Sequence, residues 1–150
     1  MTHSQHILTV QAPSQGLLEI TRDVAAWVET QFIAEGLLTL FIRHTSASIL
    51  IQENADPAVQ RDLEAFFARL VPEDSSLYSH DTEGPDDMPA HIKGALTQTH
   101  LAIPVDKGRM LLGTWQGIIL PSSTGMARWV WVSAPLMCAG MSSGPSVSWL

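Results

Sequence analysis

Residues 37–45, Leu-Leu-Thr-Leu-Phe-Ile-Arg-His-Thr, read strongly as a β-strand. A period of two places Leu38, Leu40, Ile42 and His44 on one face, and Leu37, Thr39, Phe41 and Arg43 on the other. Such a strand needs paired edges and a covered apolar face, so the rest of the chain must supply more strands and some helices. His44 continues the apolar row and should point inward at the strand end. A lone histidine there is usually a hydrogen-bonded core residue. Thr45, Ser46 and Ser48 follow at once, however, and bring hydroxyls and backbone donors beside the imidazole, which favours a binding site.

The flanking segments fit that frame. His6–Val10 reads as a strand, 12–16 as a turn and Leu17–Ile20 as a second strand hairpinned to the first, on a sheet edge. Thr21 is a candidate N-cap. Val24, Trp27, Val28 and Phe32 then fall at helical spacing, with Trp27 as a core anchor and Gly36 as the stop. Ile49–Gln52 is a short strand. Asp56 and Pro57 suit the N-cap and first position of a helix whose stripe is Val59, Leu63, Phe66, Phe67 and Leu70, ended by Pro72. Leu101–Val105 is a strand, with Pro104 favouring an edge, and Asp106-Lys107-Gly108 is a hairpin turn. In Arg109–Leu120, Gly113 and Gly117 flank Thr-Trp-Gln inside a strand pattern, a sign of a bulge or a close approach. Thr114 and Gln116 would share one face as a wall of the site, with Trp115 turned into the core or a subunit contact. Pro121–Gly125 is turn chemistry and Arg128–Ser133 a last strand. The expected domain is 1–134. Residues 135–150 have no period and little charge, and read as a poorly ordered tail.

The densest chemistry lies in Tyr78–Lys93, which packs two histidines, four carboxylates and a lysine into sixteen residues. Gly84-Pro85 forces a loop. Asp86 and Asp87 stand where a helix N-cap belongs, and Pro89 fits the first turn. His80, Asp81 and Glu83 therefore lie on a loop, and His91 near the start of a short helix whose free N–H groups suit an anion. A solvated acidic loop before a well-capped helix has the same appearance.

Several function classes drop out. A net charge of −7 does not coat a nucleic-acid backbone, although a local cleft can differ in sign from the whole surface. No apolar run approaches the ~18 residues of a spanning helix. Cys138 is the only cysteine, so no intrachain disulfide forms. The start, Met-Thr-His-Ser-Gln-His, lacks a basic region followed by an apolar one, and a cytoplasmic location is expected. There is no Walker loop, dinucleotide fingerprint or nucleophile elbow.

Written in order, His44-Thr-Ser-Ala-Ser48, Glu53-Asn-Ala-Asp-Pro57, His80-Asp-Thr-Glu-Gly84, Asp86-Asp-Met-Pro89, His91-Ile-Lys93 and Gly113-Thr-Trp-Gln-Gly-Ile118 give the chain its likeness. It resembles the YjbQ family, small bacterial and archaeal proteins often labelled secondary thiamine-phosphate synthases. The resemblance spans roughly Gln5 to Leu120. It implies an α+β fold, a two-sheet antiparallel β-sandwich with a few flanking helices, assembled as a homotrimer. It also implies a polar site near a subunit boundary. His44, His80 and His91 match the family's histidines; Asn54, Glu83, Asp87, Thr114, Trp115 and Gln116 match its other polar positions. After Leu120 the family usually continues with a Glu-His-Arg-like segment, whereas Pro-Ser-Ser-Thr-Gly-Met-Ala stands here.

Those residues suggest roles. His44, His80 and His91 could hold a divalent metal, zinc by the imidazoles or magnesium with carboxylates and phosphate. His80, His91, Glu83 and Asp87 are the catalytic candidates, as acids and bases. Thr45, Ser46, Asn54, Lys93, Thr114 and Gln116 are the ligand-binding candidates, the ligand being a small phosphorylated substrate. The label implies a transferase that joins a thiazole phosphate to an aminomethyl-pyrimidine and releases pyrophosphate, as a secondary activity. The rival reading is a non-catalytic module that binds metal or a small anion, with neither nucleic acid nor membrane as partner.

Overall fold

The computed structural model describes residues 2–11, 16–122 and 127–136. In chain order its elements are β1 (Thr2–Gln11), β2 (Gly16–Glu19), α1 (Thr21–Thr30), β3 (Glu35–Ile42), β4 (Leu50–Glu53), α2 (Pro57–Leu70), a 3-10 turn (Ser75–Leu77), α3 (Asp87–Leu96), β5 (His100–Asp106), β6 (Arg109–Met110), β7 (Gln116–Ser122) and β8 (Ala127–Leu136). Among the described residues the strands form two antiparallel sheets, one ordered β1-β8-β3-β5-β6 and the other β2-β7-β4. The expected α+β, two-sheet architecture is therefore present.

The alternation in β3 does what its period dictates. Leu38, Leu40 and Ile42 are buried and join Val24 and Val28 of α1, Ile103 of β5, and Ile118 and Leu120 of β7 in one core. Leu37 and Phe41, on the opposite face, are half exposed. The strand ends at Ile42, earlier than expected, and Arg43 and His44 begin a loop. Between β5 and β6, Lys107 (φ 50°) and Gly108 (φ 76°) are both left-handed, as a two-residue hairpin requires, so the expected turn is there.

Four expectations are corrected. β1 and β2 do not form a hairpin: β1 pairs with β8 in the larger sheet and β2 with β7 in the smaller. Turn residues signal a change of direction and do not say which sheet receives the next strand; 12–15 themselves lie outside the described residues. Arg109–Leu120 is not one strand, because a turn at Gly113–Gln116 separates β6 from β7 and sends them to different sheets. Gly36 does not stop α1. The helix ends at Thr30, and Phe32 takes the left-handed conformation (φ 53°), leaving Gly36 inside β3. Thr21 is the first helical residue and no N-cap; its hydroxyl accepts from Ile118 N–H (2.9 Å) and donates to Glu19 (2.7 Å), tying α1 to the smaller sheet. Of the expected tail, Pro135 and Leu136 belong to β8, while 137–150 lie outside the described residues. Of the expected turn at Pro121–Gly125, Pro121 and Ser122 complete β7, and 123–126 lie outside the described residues.

α2 starts as the sequence dictates, with Asp56 accepting from Ala58 N–H at 2.8 Å and Pro57 first in the helix. Its apolar stripe, however, is nowhere buried; Phe66 is 49% and Leu70 52% exposed. The helix is held instead by polar bonds to edge strand β2. Glu64 Oε1 accepts Leu17 N–H (3.0 Å), and Gln60 Nε2 donates to Leu17 O. Leu17 stands opposite Pro121, which has no N–H to offer, so Leu17 turns its own backbone groups outward to α2.

Candidate metal centre

The site begins in the loop between α2 and α3. Asp74 closes the 3-10 turn by accepting from Ser76 N–H (2.9 Å) and Ser76 Oγ–H (2.7 Å), and Tyr78 Oη donates to Pro72 O (2.9 Å). The Ser76 hydroxyl, and then its amide, hold the Asp74 carboxyl below its ordinary range. A lowered value means that this bonding helps the fold above the ordinary carboxylate range and is lost as pH falls through the lowered one. At Gly84 φ reaches 117°, open to glycine, and Asp87 N–H reaches back to Gly84 O (3.4 Å). Asp86 takes the N-cap position without a side-chain bond, and Asp87, first in α3, turns inward to 3% exposure.

Burial of a carboxylate demands partners. Asp87 Oδ2 has two: His80 Nε2 at 2.9 Å and His91 Nε2 at 3.4 Å. His91 lies one turn along α3, at i+4, where side chains share a face. His80 comes from the loop and meets His91 edge to face, with ring centroids 5.6 Å apart. The other nitrogen of His91, Nδ1, lies 3.0 Å from Thr45 O. A carbonyl only accepts, so Nδ1 carries a hydrogen and a neutral His91 turns its Nε2 lone pair toward the Asp87 carboxylate. Two sets of lone pairs at this distance repel unless a proton or a cation lies between them.

The donor set fits a divalent cation. One ligand atom from each of His80, Asp87 and His91 lies within 4.8 Å of the others. Tetrahedral ligands on bonds of ~2.0–2.1 Å stand roughly 3.3 Å apart, and the observed 2.9 and 3.4 Å straddle that spacing. Two histidines with one carboxylate leave a coordination position open, as catalytic sites do. The Thr45 carbonyl on the far nitrogen of His91 is the usual outer partner of a metal-binding histidine.

The other expected residues are dispersed. His44 is outside this three-residue group: its Nδ1 accepts Ser46 N–H (3.1 Å) and faces Ser46 Oγ (3.1 Å), so that lone pair is engaged by the buried Ser46. Asp87, expected as an acid or base, is the third member of the group with His80 and His91; its i, i+4 spacing to His91 was the available signal. Thr45 contributes its carbonyl. Glu83 is exposed on the loop. Lys93 lines a separate cleft. Asn54 donates Nδ2–H to Glu19 (2.8 Å), and its backbone N–H to Trp115 O (3.0 Å). Gln116 closes its own turn: Oε1 accepts Gly113 N–H (2.8 Å) and its N–H reaches Gly113 O (2.9 Å). Thr114 is exposed and Trp115 is 63% exposed, so Gly113–Gln116 is an exposed turn and no buried wall. Gly117 does make the expected close approach, since a Cβ there would sit 2.8 Å from Asn54 Cβ.

Known proteins share this chain's pattern. The family profile described as UPF0047 protein YjbQ-like matches residues 6–134. UPF0047 protein sll1880 of Synechocystis sp. is 53% identical over 116 residues, covering 77% of this chain and 79% of its own. UPF0047 protein YjbQ of Escherichia coli O157:H7 is 47% identical over 117 residues, covering 77% and 84%. Among solved structures, the conserved hypothetical protein TT1486 from Thermus thermophilus superposes with a TM-score of 0.73 at 37% identity, over 88% of this chain and 99% of that one. A yjbq/upf0047 family protein from Clostridium acetobutylicum gives 0.73 at 32%, over 88% and 99%.

Proposed function

The chain belongs to the UPF0047 YjbQ-like family, and from that premise we propose that it binds a divalent cation through His80, Asp87 and His91 and presents it to a small phosphorylated substrate. The observation that carries this reading is the shared Asp87 Oδ2 between two imidazole Nε2 atoms, with the tautomer of His91 set by Thr45 O. When bound, such a cation supplies charge neutralisation for phosphate oxygens or a pyrophosphate leaving group. The Thr45 carbonyl holds Nδ1 of His91 and leaves Nε2 facing Asp87.

Calorimetric titration with zinc is the direct test. One site per chain is expected, and its affinity falls with pH across the ordinary histidine range, roughly 6 to 7, because protons compete for the imidazoles. Binding that does not change between pH 7.5 and 5.5 would rule out histidine ligands. Joining a thiazole phosphate to a pyrimidine pyrophosphate is the reaction to assay, as a side activity whose principal substrate is another phosphate ester. The competing non-catalytic module has one observation in its favour: the carboxamides of Asn54 and Gln116 are engaged within the protein. Tight zinc without turnover on that pair and on a panel of phosphate esters decides for the module.

We also propose a cytoplasmic homotrimer. Among the described residues no helix is long and apolar enough to cross a membrane. The half-exposed apolar residues of β3 and α2 would gain cover in a closed assembly. Light scattering should give three times the 16.4 kDa chain mass, and a stable monomer at micromolar concentration would contradict the assembly.

A further inference from the structure

α3 has a second face. Lys93 follows His91 by two residues and so points about 200° around the helix from it, away from the metal ligands. There, between α2 and the β2–β7 end of the smaller sheet, lies a cleft of ≈ 580 Å³. Leu17, Phe67 and Pro121 give it apolar walls, and Arg61 and Lys93 give it two cations. Neither cation makes an ion pair among the described residues. Of its two acids, Glu64 is engaged with Leu17 N–H and Glu73 is engaged as well. With two cations and two acids the cleft is charge-balanced, against eight Lys and Arg and fifteen acids in the whole chain, and the N–H donors of Arg61 and Lys93 face it without an ion pair among the described residues.

We infer that this cleft binds an amphipathic organic anion, with an apolar body against Phe67 and Leu17 and its acidic group toward Lys93 and Arg61. The volume suits such a ligand, since small-molecule sites run from about 300 to 1,000 Å³. A neutral apolar molecule would leave the Lys93 and Arg61 N–H donors unused, and a small inorganic anion would leave the apolar walls wet. The site is separate from the metal centre, and loss of zinc binding would not affect it.

Fluorescence titration of the full chain with 8-anilino-1-naphthalenesulfonate tests this, alongside its uncharged counterpart N-phenyl-1-naphthylamine. The sulfonate should bind saturably at one site per chain, and the neutral probe about tenfold more weakly, the scale of a charge-assisted hydrogen bond. Lys93→Gln and Arg61→Gln should each weaken the sulfonate several-fold and leave the neutral probe unchanged. Ala68→Trp, which fills the cleft from α2, should remove both probes while zinc stoichiometry stays intact. Equal affinity for the two probes, or sulfonate binding indifferent to both charge variants, overturns the assignment. So does probe binding that appears only as dilution lowers the molecular mass, because the cleft would then be a contact between copies. If Ala68→Trp fails to fold, the two charge variants decide alone.

Discussion

Asp87→Ala lowers zinc affinity at least about a hundredfold, ~2.7 kcal/mol, while the protein keeps its fold. Asp87 Oδ2 is the one atom that both His80 and His91 approach, so its loss removes a ligand and separates the other two. The residue is buried at the first turn of α3. Asp87→Asn sharpens the reading. It keeps the volume but not the charge, and its amide can face His80 and His91 with the wrong donor. Zinc calorimetry on both variants should give two weak binders. If Asp87→Asn binds zinc as the native chain does, the carboxylate is no ligand, and the buried trio is only a hydrogen-bonded anchor between the loop and α3.

Leu40→Ala costs about 3–5 kcal/mol of stability, the upper part of the range for a fully buried leucine. Leu40 is fully buried in the middle of β3, paired with Leu101 on one side and Val132 on the other, so neighbouring strands prevent the cavity from collapsing. For a domain of this length the melting temperature should drop by roughly 10 °C or more. Leu37→Ala is the control on the same strand. Leu37 is 43% exposed on the opposite face, and its removal should cost under about 1 kcal/mol if that face meets water. Thermal melts of the pair separate two states. A Leu37→Ala loss as large as that of Leu40→Ala would mean that the outer face is covered in solution, as it would be if the proposed trimer closes over β3.

Local chemistry was legible wherever a residue carried its own geometric demand. Alternation in β3 placed Leu38, Leu40 and Ile42 in the core. Asp56-Pro57 opened α2, and Lys107-Gly108 turned β5 into β6. The motifs also singled out His80, Asp87 and His91, which the fold brings together, and the resemblance pointed to the family. What one chain read locally could not supply was pairing between distant segments. β1 and β2 look like neighbours because turn residues join them, yet each pairs with a C-terminal strand. That Asp87, and not His44, stands within reach of both His80 and His91 is a matter of tertiary placement, which no local spacing shows, while His44 Nδ1 turns to Ser46. The Gly113–Gly117 segment misled for a related reason. Its glycines signalled a close approach, which Gly117 makes to Asn54, while Gln116 folded back on Gly113 and left Trp115 outside.

X-ray absorption at the zinc edge of the zinc-loaded protein tests the metal centre most directly. Two imidazole nitrogens should appear among nitrogen and oxygen ligands at ~2.0–2.1 Å, and His91→Gln should remove one imidazole. A sulfur shell at ~2.3 Å, which only Cys138 or a methionine could supply, or a spectrum unchanged by His91→Gln, would contradict the His80–Asp87–His91 site.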